Sequence, residues 1–121
     1  MGPDRDALLG RDYWLVLSTP RPETTAADIE RHLDAHLAWL LGLEADGVAF
    51  LSGPLTSGPG VAPGSGVTVL RAGSAAEAAK IAATDPFVVA GLRGAEVFGW
   101  RVNEGSIQLR VSLGTGRYTW G

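Results

Sequence analysis

The sequence contains no cysteine. That excludes a disulfide scaffold, thiol catalysis and a thiolate metal site. It has no basic excess: ten Lys and Arg stand against thirteen Asp and Glu, for a formal net charge of −3. With nothing to neutralise a phosphate backbone, nucleic acid is not an expected partner. No apolar run approaches the ~20 residues that span a bilayer, so no membrane partner is expected. The start, Met-Gly-Pro-Asp-Arg-Asp, lacks the basic stretch and apolar centre of a signal peptide, and a cytoplasmic protein is expected. What is present suits ordinary globular folding: 121 residues, 45% of them hydrophobic and 19% charged. That length predicts one domain, here residues 13–121 after a polar leader at 1–12.

Tyr13 to Ser18 is aromatic and branched and is stopped by Pro20 and Pro22, which predicts a first strand. Thr25-Ala-Ala-Asp28 has the form of a helix N-cap, and Asp46-Gly47 the form of a helix stop. The helix between them, to about Glu44, is amphipathic. At about 100° per residue, Ile29, Leu33, Leu40 and Leu43 fall within about 40° of one another's mean direction, and Glu30, Arg31 and Asp34 fall opposite. A second strand is predicted over Val48–Pro54 and a third over Val67–Arg71, joined by a Gly- and Pro-rich loop at 55–66. Ser74-Ala-Ala-Glu77 opens a second, Ala-rich helix that ends near Thr84, where Asp85-Pro86 stops it.

Ala95–Val102 reads as a fourth strand, with Phe98 and Trp100 on one face. Asn103-Glu-Gly-Ser106 then turns the chain into a strictly alternating strand over 107–113, and Arg117–Trp120 adds a short last strand. The order βαββαβ with a C-terminal hairpin extension (core 13–102, extension 103–121) predicts an α+β, ferredoxin-like fold. Both helices then lie on one face of an antiparallel sheet. The other face is left apolar and bare, which calls for a second copy of the chain.

Few residues carry chemistry. His36 lies about 20° from Ile29, within the apolar stripe, where an imidazole needs a hydrogen-bond partner. It is either a core histidine satisfied by its neighbours or a functional group. His32, one turn earlier, has the i, i+4 spacing of a metal pair with His36, but no third His and no Cys completes a site, and no metal is expected. Asp85 is either a helix stop or a carboxylate that fixes the tautomer of an imidazole and leaves its other nitrogen as a base. The 55–66 loop lacks the Gly-Lys-Ser/Thr ending of a phosphate cradle, and its prolines remove amide donors, so it reads as a long hairpin loop or flap.

Several segments together resemble a known family. They are His36-Leu-Ala-Trp-Leu-Leu-Gly-Leu-Glu-Ala-Asp-Gly47, Leu51-Ser-Gly-Pro54, Ser74-Ala-Ala-Glu-Ala-Ala and Thr84-Asp-Pro-Phe-Val-Val-Ala-Gly91. In this order they resemble the YCII-related (YciI-like) family of the dimeric α+β barrel superfamily, from about Tyr13 to Trp100. The resemblance implies a ferredoxin-like fold and a homodimer packed sheet to sheet. It also implies an active site in which a first-helix His, matching His36, pairs with the Asp of the Asp-Pro motif, matching Asp85.

The family includes dehydrohalogenating lyases, and the superfamily includes isomerases. The implied function is therefore a lyase or isomerase that moves protons on a small molecule without a cofactor. Gly53, Pro54 and Phe87 are expected to line the substrate pocket. The alternative is a homodimer that binds a small molecule without catalysis or serves a structural role. The 55–66 loop is longer than the resemblance leads one to expect, so the substrate pocket is expected to be reshaped or covered.

Overall fold

The computed structural model describes residues 2–121. They form two compact units: residues 12–101, and a smaller unit of residues up to 11 with 102–121. In the larger unit the strands are β1 (Arg11–Pro20), β2 (Ala49–Pro54), β3 (Gly66–Leu70) and β4 (Arg93–Val102). They make one antiparallel sheet in the order β2-β3-β1-β4. The helices are α1 (Ala26–Ala45), α2 (Ala75–Ala82) and α3 (Pro86–Val89). This is the ferredoxin-like α+β arrangement.

The pairing of β1 with β3 sets Trp14 opposite Leu70 and Val16 opposite Thr68. Alternation along β1 then sends Val16 to one face and Leu15 and Leu17 to the other. Val16 is buried with Leu70, Ala78 and Ala82, so this face carries the core, with Trp14, Leu43, Val48, Ile81 and Val97 packed around it. The small side chains of Ala78 and Ala82 let α2 lie close to the sheet. On the far face Tyr13 stacks on Phe50 at 4.9 Å between ring centres, and the Arg71 guanidinium lies 4.7 Å over Phe50. The pairing of β2 with β3 slips between Ala49 and Leu51, and Phe50 is the extra residue there.

The start of α1 is a full capping box: the Thr25 hydroxyl accepts from Asp28 N at 3.1 Å, and the Asp28 carboxylate accepts from Thr25 N at 3.0 Å. Arg31 pairs with the same carboxylate. The Thr25 hydrogen bonds, backbone first, hold the Asp28 carboxyl below the usual carboxylate range. At the other end Gly47 takes φ +73° and Val48 N donates to Leu43 O at 2.8 Å, which closes the last turn. Replacing Thr25 with alanine removes the cap, and urea unfolding will report a loss of about 1 kcal/mol.

The predicted α2 stop is more than a stop. After Ala82 the chain makes one turn and Asp85 caps a second, four-residue helix, with Pro86 in the first position where its missing N–H costs nothing. At α2 itself, Ser74 accepts from Glu77 N, while Glu77 reaches Gly73 N at 2.8 Å rather than the cap residue's own amide. β4 starts at Arg93, two residues earlier than Ala95.

In the smaller unit a 3₁₀ turn at Arg5–Ala7 occupies part of the predicted leader, and Leu9 N donates to Asn103 O at 2.9 Å. The last two strands are β5 (Leu109–Ser112) and β6 (Arg117–Trp120), a separate antiparallel pair. β5 is shorter than the alternation at 107–113 suggests, because β6 offers only four residues to pair with. No helix among the described residues is long and apolar enough to cross a membrane.

Candidate active site

α1 crosses the core face of the sheet and packs against α3 and β2. Its apolar stripe is half-buried, and none of its residues is fully buried. Between this stripe and the sheet lies a cavity of about 560 Å³. His36, Asp85, Phe87 and Arg93 line one side of it, and Ser52, Gly53, Pro54 and Ser65 lie at the β2 edge and loop end.

The stripe position of His36 brings its ring over α3. Nδ1 of His36 lies 2.8 Å from Oδ1 of Asp85, and both side chains are shielded, at 14% and 6% exposure. An ionised carboxylate only accepts, so facing one Nδ1 donates, and in the neutral imidazole Nε2 then keeps its lone pair. The same Oδ1 accepts from Phe87 N at 2.9 Å. The cap of α3 therefore fixes the carboxylate, and the carboxylate fixes the imidazole. The Phe87 ring, fully buried, sits 4.5 Å from the His36 ring and packs against it. Trp39 on α1 donates its indole N–H to Thr84 Oγ1 at 3.0 Å, a second tie between α1 and the segment that carries Asp85.

Gly53 and Pro54, the ends of β2, are exposed and line the cavity, while Phe87 lines it with no exposed surface. The 55–66 loop is held by Leu55 N to Ser65 O at 2.9 Å and by Ser65 to Ala62 O. Only its end, at Gly64 to Gly66, reaches the cavity. His32 does not point to a second site: its Nδ1 meets Asp28 O at 3.0 Å within the helix. Among the described residues no group of three or more His, Asp or Glu is gathered as a metal site would need.

Arg93 was not a sequence candidate. It stands at the start of β4, on the same face as Ala95 and Val97, and lines the cavity. Its guanidinium stacks on the Phe87 ring at 4.4 Å. The residue is 9% exposed, and its Nε is buried with no hydrogen-bond partner among the described residues. Burial pushes its pKa down, and the Asp85 carboxylate opposes that through space. Ser18 Oγ, also on the cavity wall, is the other buried side-chain polar atom without a partner among the described residues.

Comparisons with known proteins bear on the family and the fold. The profile of the YCII-related domain matches residues 13–101. No curated protein matches. Among solved structures, the chain is similar to 5-chloro-2-hydroxyhydroquinone dehydrochlorinase (TftG) from Burkholderia phenoliruptrix AC1100, in complex with 2,5-dihydroxybenzoquinone. The two are 28% identical with a TM-score of 0.59, over 73% of this chain and 92% of that one. With the family profile covering most of its length, the chain belongs to the YCII-related domain family.

Proposed function

We propose that this protein is a small-molecule lyase or isomerase, with His36 as the general base and acid and Asp85 as the residue that orients it. The observation that carries the reading is the 2.8 Å contact of His36 Nδ1 with Asp85 Oδ1 inside a cavity. Nε2 takes a proton from an acidic O–H or C–H bond, and that bond's electron pair moves into a new π bond. In an elimination, the ring carbon bearing the leaving group first gains a proton as the keto tautomer. The leaving group then departs from that sp3 carbon with its own electron pair while a neighbouring O–H or C–H proton is removed. In an isomerisation, the proton returns to a different carbon. The imidazolium formed in between is stabilised by the Asp85 carboxylate until it releases the proton. An elimination of this kind loses H⁺ and the leaving anion and consumes no oxidant. Gly53, Pro54 and Phe87 shape the substrate's space.

The similarity to a dehydrochlorinase supports testing chlorinated hydroxyhydroquinones first. Wild-type protein incubated with 5-chloro-2-hydroxyhydroquinone releases chloride, and in D₂O it exchanges the ring protons of 2,5-dihydroxybenzoquinone faster than buffer does. Neither release nor exchange from folded protein overturns the reading.

The working unit we propose is a homodimer joined through the sheet face away from the helices. Leu51, Phe98 and Trp100 are 41%, 47% and 42% exposed. Phe98 and Trp100 alternate with Val97, which faces the core, so they share the uncovered face. Placing a charge there, as in Phe98→Asp, yields a folded monomer by light scattering where the wild type is a dimer. A dimeric variant, or a monomeric wild type, counts against the interface.

A further inference from the structure

We propose that Arg93 binds an anionic oxygen of the substrate, so that the cavity selects small, planar, hydroxylated carbonyl compounds that are anions or become anions on losing a proton. The proposal rests on reading the cavity as the proton-transfer site. It is carried by the condition of Arg93 itself. A guanidinium offers five donors and stays protonated in proteins. Here its Nε is buried and makes no hydrogen bond among the described residues, although a buried donor left unpaired is costly. A purely structural arginine at a strand start would find a carboxylate or backbone carbonyl. This one is held by the Phe87 ring at 4.4 Å and faces the same cavity as His36.

The Asp85 carboxylate meets His36 Nδ1 and Phe87 N through Oδ1, and among the described residues it forms no ion pair with Arg93. It lowers the cost of the Arg93 charge at a distance. The arrangement leaves the guanidinium available to a ligand. When Nε2 of His36 takes a proton, negative charge develops on the substrate's conjugated oxygen. A fixed cation at that place favours the charged state over the neutral one. The sheet side of the cavity also carries hydroxyls, with Ser52 Oγ and Thr68 Oγ1 3.0 Å apart and Ser18 Oγ unpaired among the described residues. These suit a ring that bears more than one oxygen, while Leu33, Leu40 and Val16 cover its apolar faces.

The test uses two compounds with one ring size. 2,5-Dihydroxybenzoquinone is a vinylogous acid and is ionised at neutral pH; hydroquinone is uncharged there. Both are titrated calorimetrically into wild type, Arg93→Gln and Arg93→Lys, with circular dichroism and melting curves to establish folding. Wild type will prefer the anion. Arg93→Gln will lose at least about tenfold in anion affinity, as expected for a charge-assisted hydrogen bond, and change little toward hydroquinone. Arg93→Lys will keep part of the preference, because it keeps the charge without the fork. Added salt will weaken the anion's binding and leave hydroquinone's unchanged.

The proposal is overturned if wild type binds neither compound or shows no preference for the anion. It is also overturned if folded Arg93→Gln binds the anion as tightly as wild type, or weakens toward both compounds alike. Should Arg93→Gln fail to fold, the Lys variant and the salt series decide by the same criteria. Arg93-dependent anion binding without any turnover or exchange would overturn the proton-transfer reading and leave this one standing. Turnover with unchanged KM in Arg93→Gln would do the reverse.

Discussion

Replacing His36 with alanine is expected to lower the rate of proton transfer by about 10²–10⁴-fold, the contribution usual for a positioned general base. Chloride release and ring-proton exchange are the readouts. The expectation follows from placement. The imidazole is held at Nδ1 by a carboxylate that is itself held by a backbone amide, so Nε2 is presented in one orientation. Asp85→Asn retains an oxygen that can accept from Nδ1 but removes the charge beside the imidazolium. It should fall between wild type and His36→Ala. Melting curves must accompany both variants, since Asp85 also caps α3. A folded His36→Ala protein with wild-type rates would remove His36 from the mechanism.

The largest effect on stability is expected at Phe87. The ring is fully buried, and with Leu70 it is one of the two largest side chains so enclosed. Truncating a buried Phe to Ala costs about 3–5 kcal/mol, the lost transfer energy plus the cavity left behind. The His36 ring at 4.5 Å and the Arg93 guanidinium at 4.4 Å lose their common support, so collapse of the hole is resisted on two sides. Urea unfolding should show a clear fall in midpoint with the slope nearly unchanged. Val89→Ala, two residues along the same short helix and 72% exposed, should shift stability by no more than about 0.5 kcal/mol. Comparable losses in the two variants would show that burial does not set the cost here.

The helices were readable because local chemistry decides them. Thr25 and Asp28 close on one another across three residues, and Gly47 takes a backbone angle that suits it. His36 stood out because a polar ring in an apolar stripe needs a partner, and Asp85 because of the family motif. α3 was not readable as a helix. Asp-Pro ends one helix and begins another with the same residues, and four residues carry no periodicity.

Arg93 was hidden for a different reason. It sits just ahead of the apolar stretch at 95–102, where a single charged residue reads as the rim of a strand. The one available signal was its register, two and four residues before the inward-facing Ala95 and Val97. Whether an inward arginine finds a partner depends on what packs above it, and no local pattern records that. The strand limits of β5 were likewise set by β6, not by its own alternation.

The cavity's two sides have different origins in the chain. The side that holds His36 and Asp85 comes from one helix face and a contiguous stretch, Asp85 to Arg93, tied together by a backbone cap and a stacked ring. The other part is the end of β2 and the close of the Gly- and Pro-rich loop, built from residues with little side chain. Changes in length or sequence at 55–63 can therefore recontour the space offered to a ligand while the His36–Asp85 distance stays under separate control. The fold thus separates the held imidazole–carboxylate pair from a replaceable mould. A relative with a different loop should be expected to differ in what it accepts before it differs in what it does.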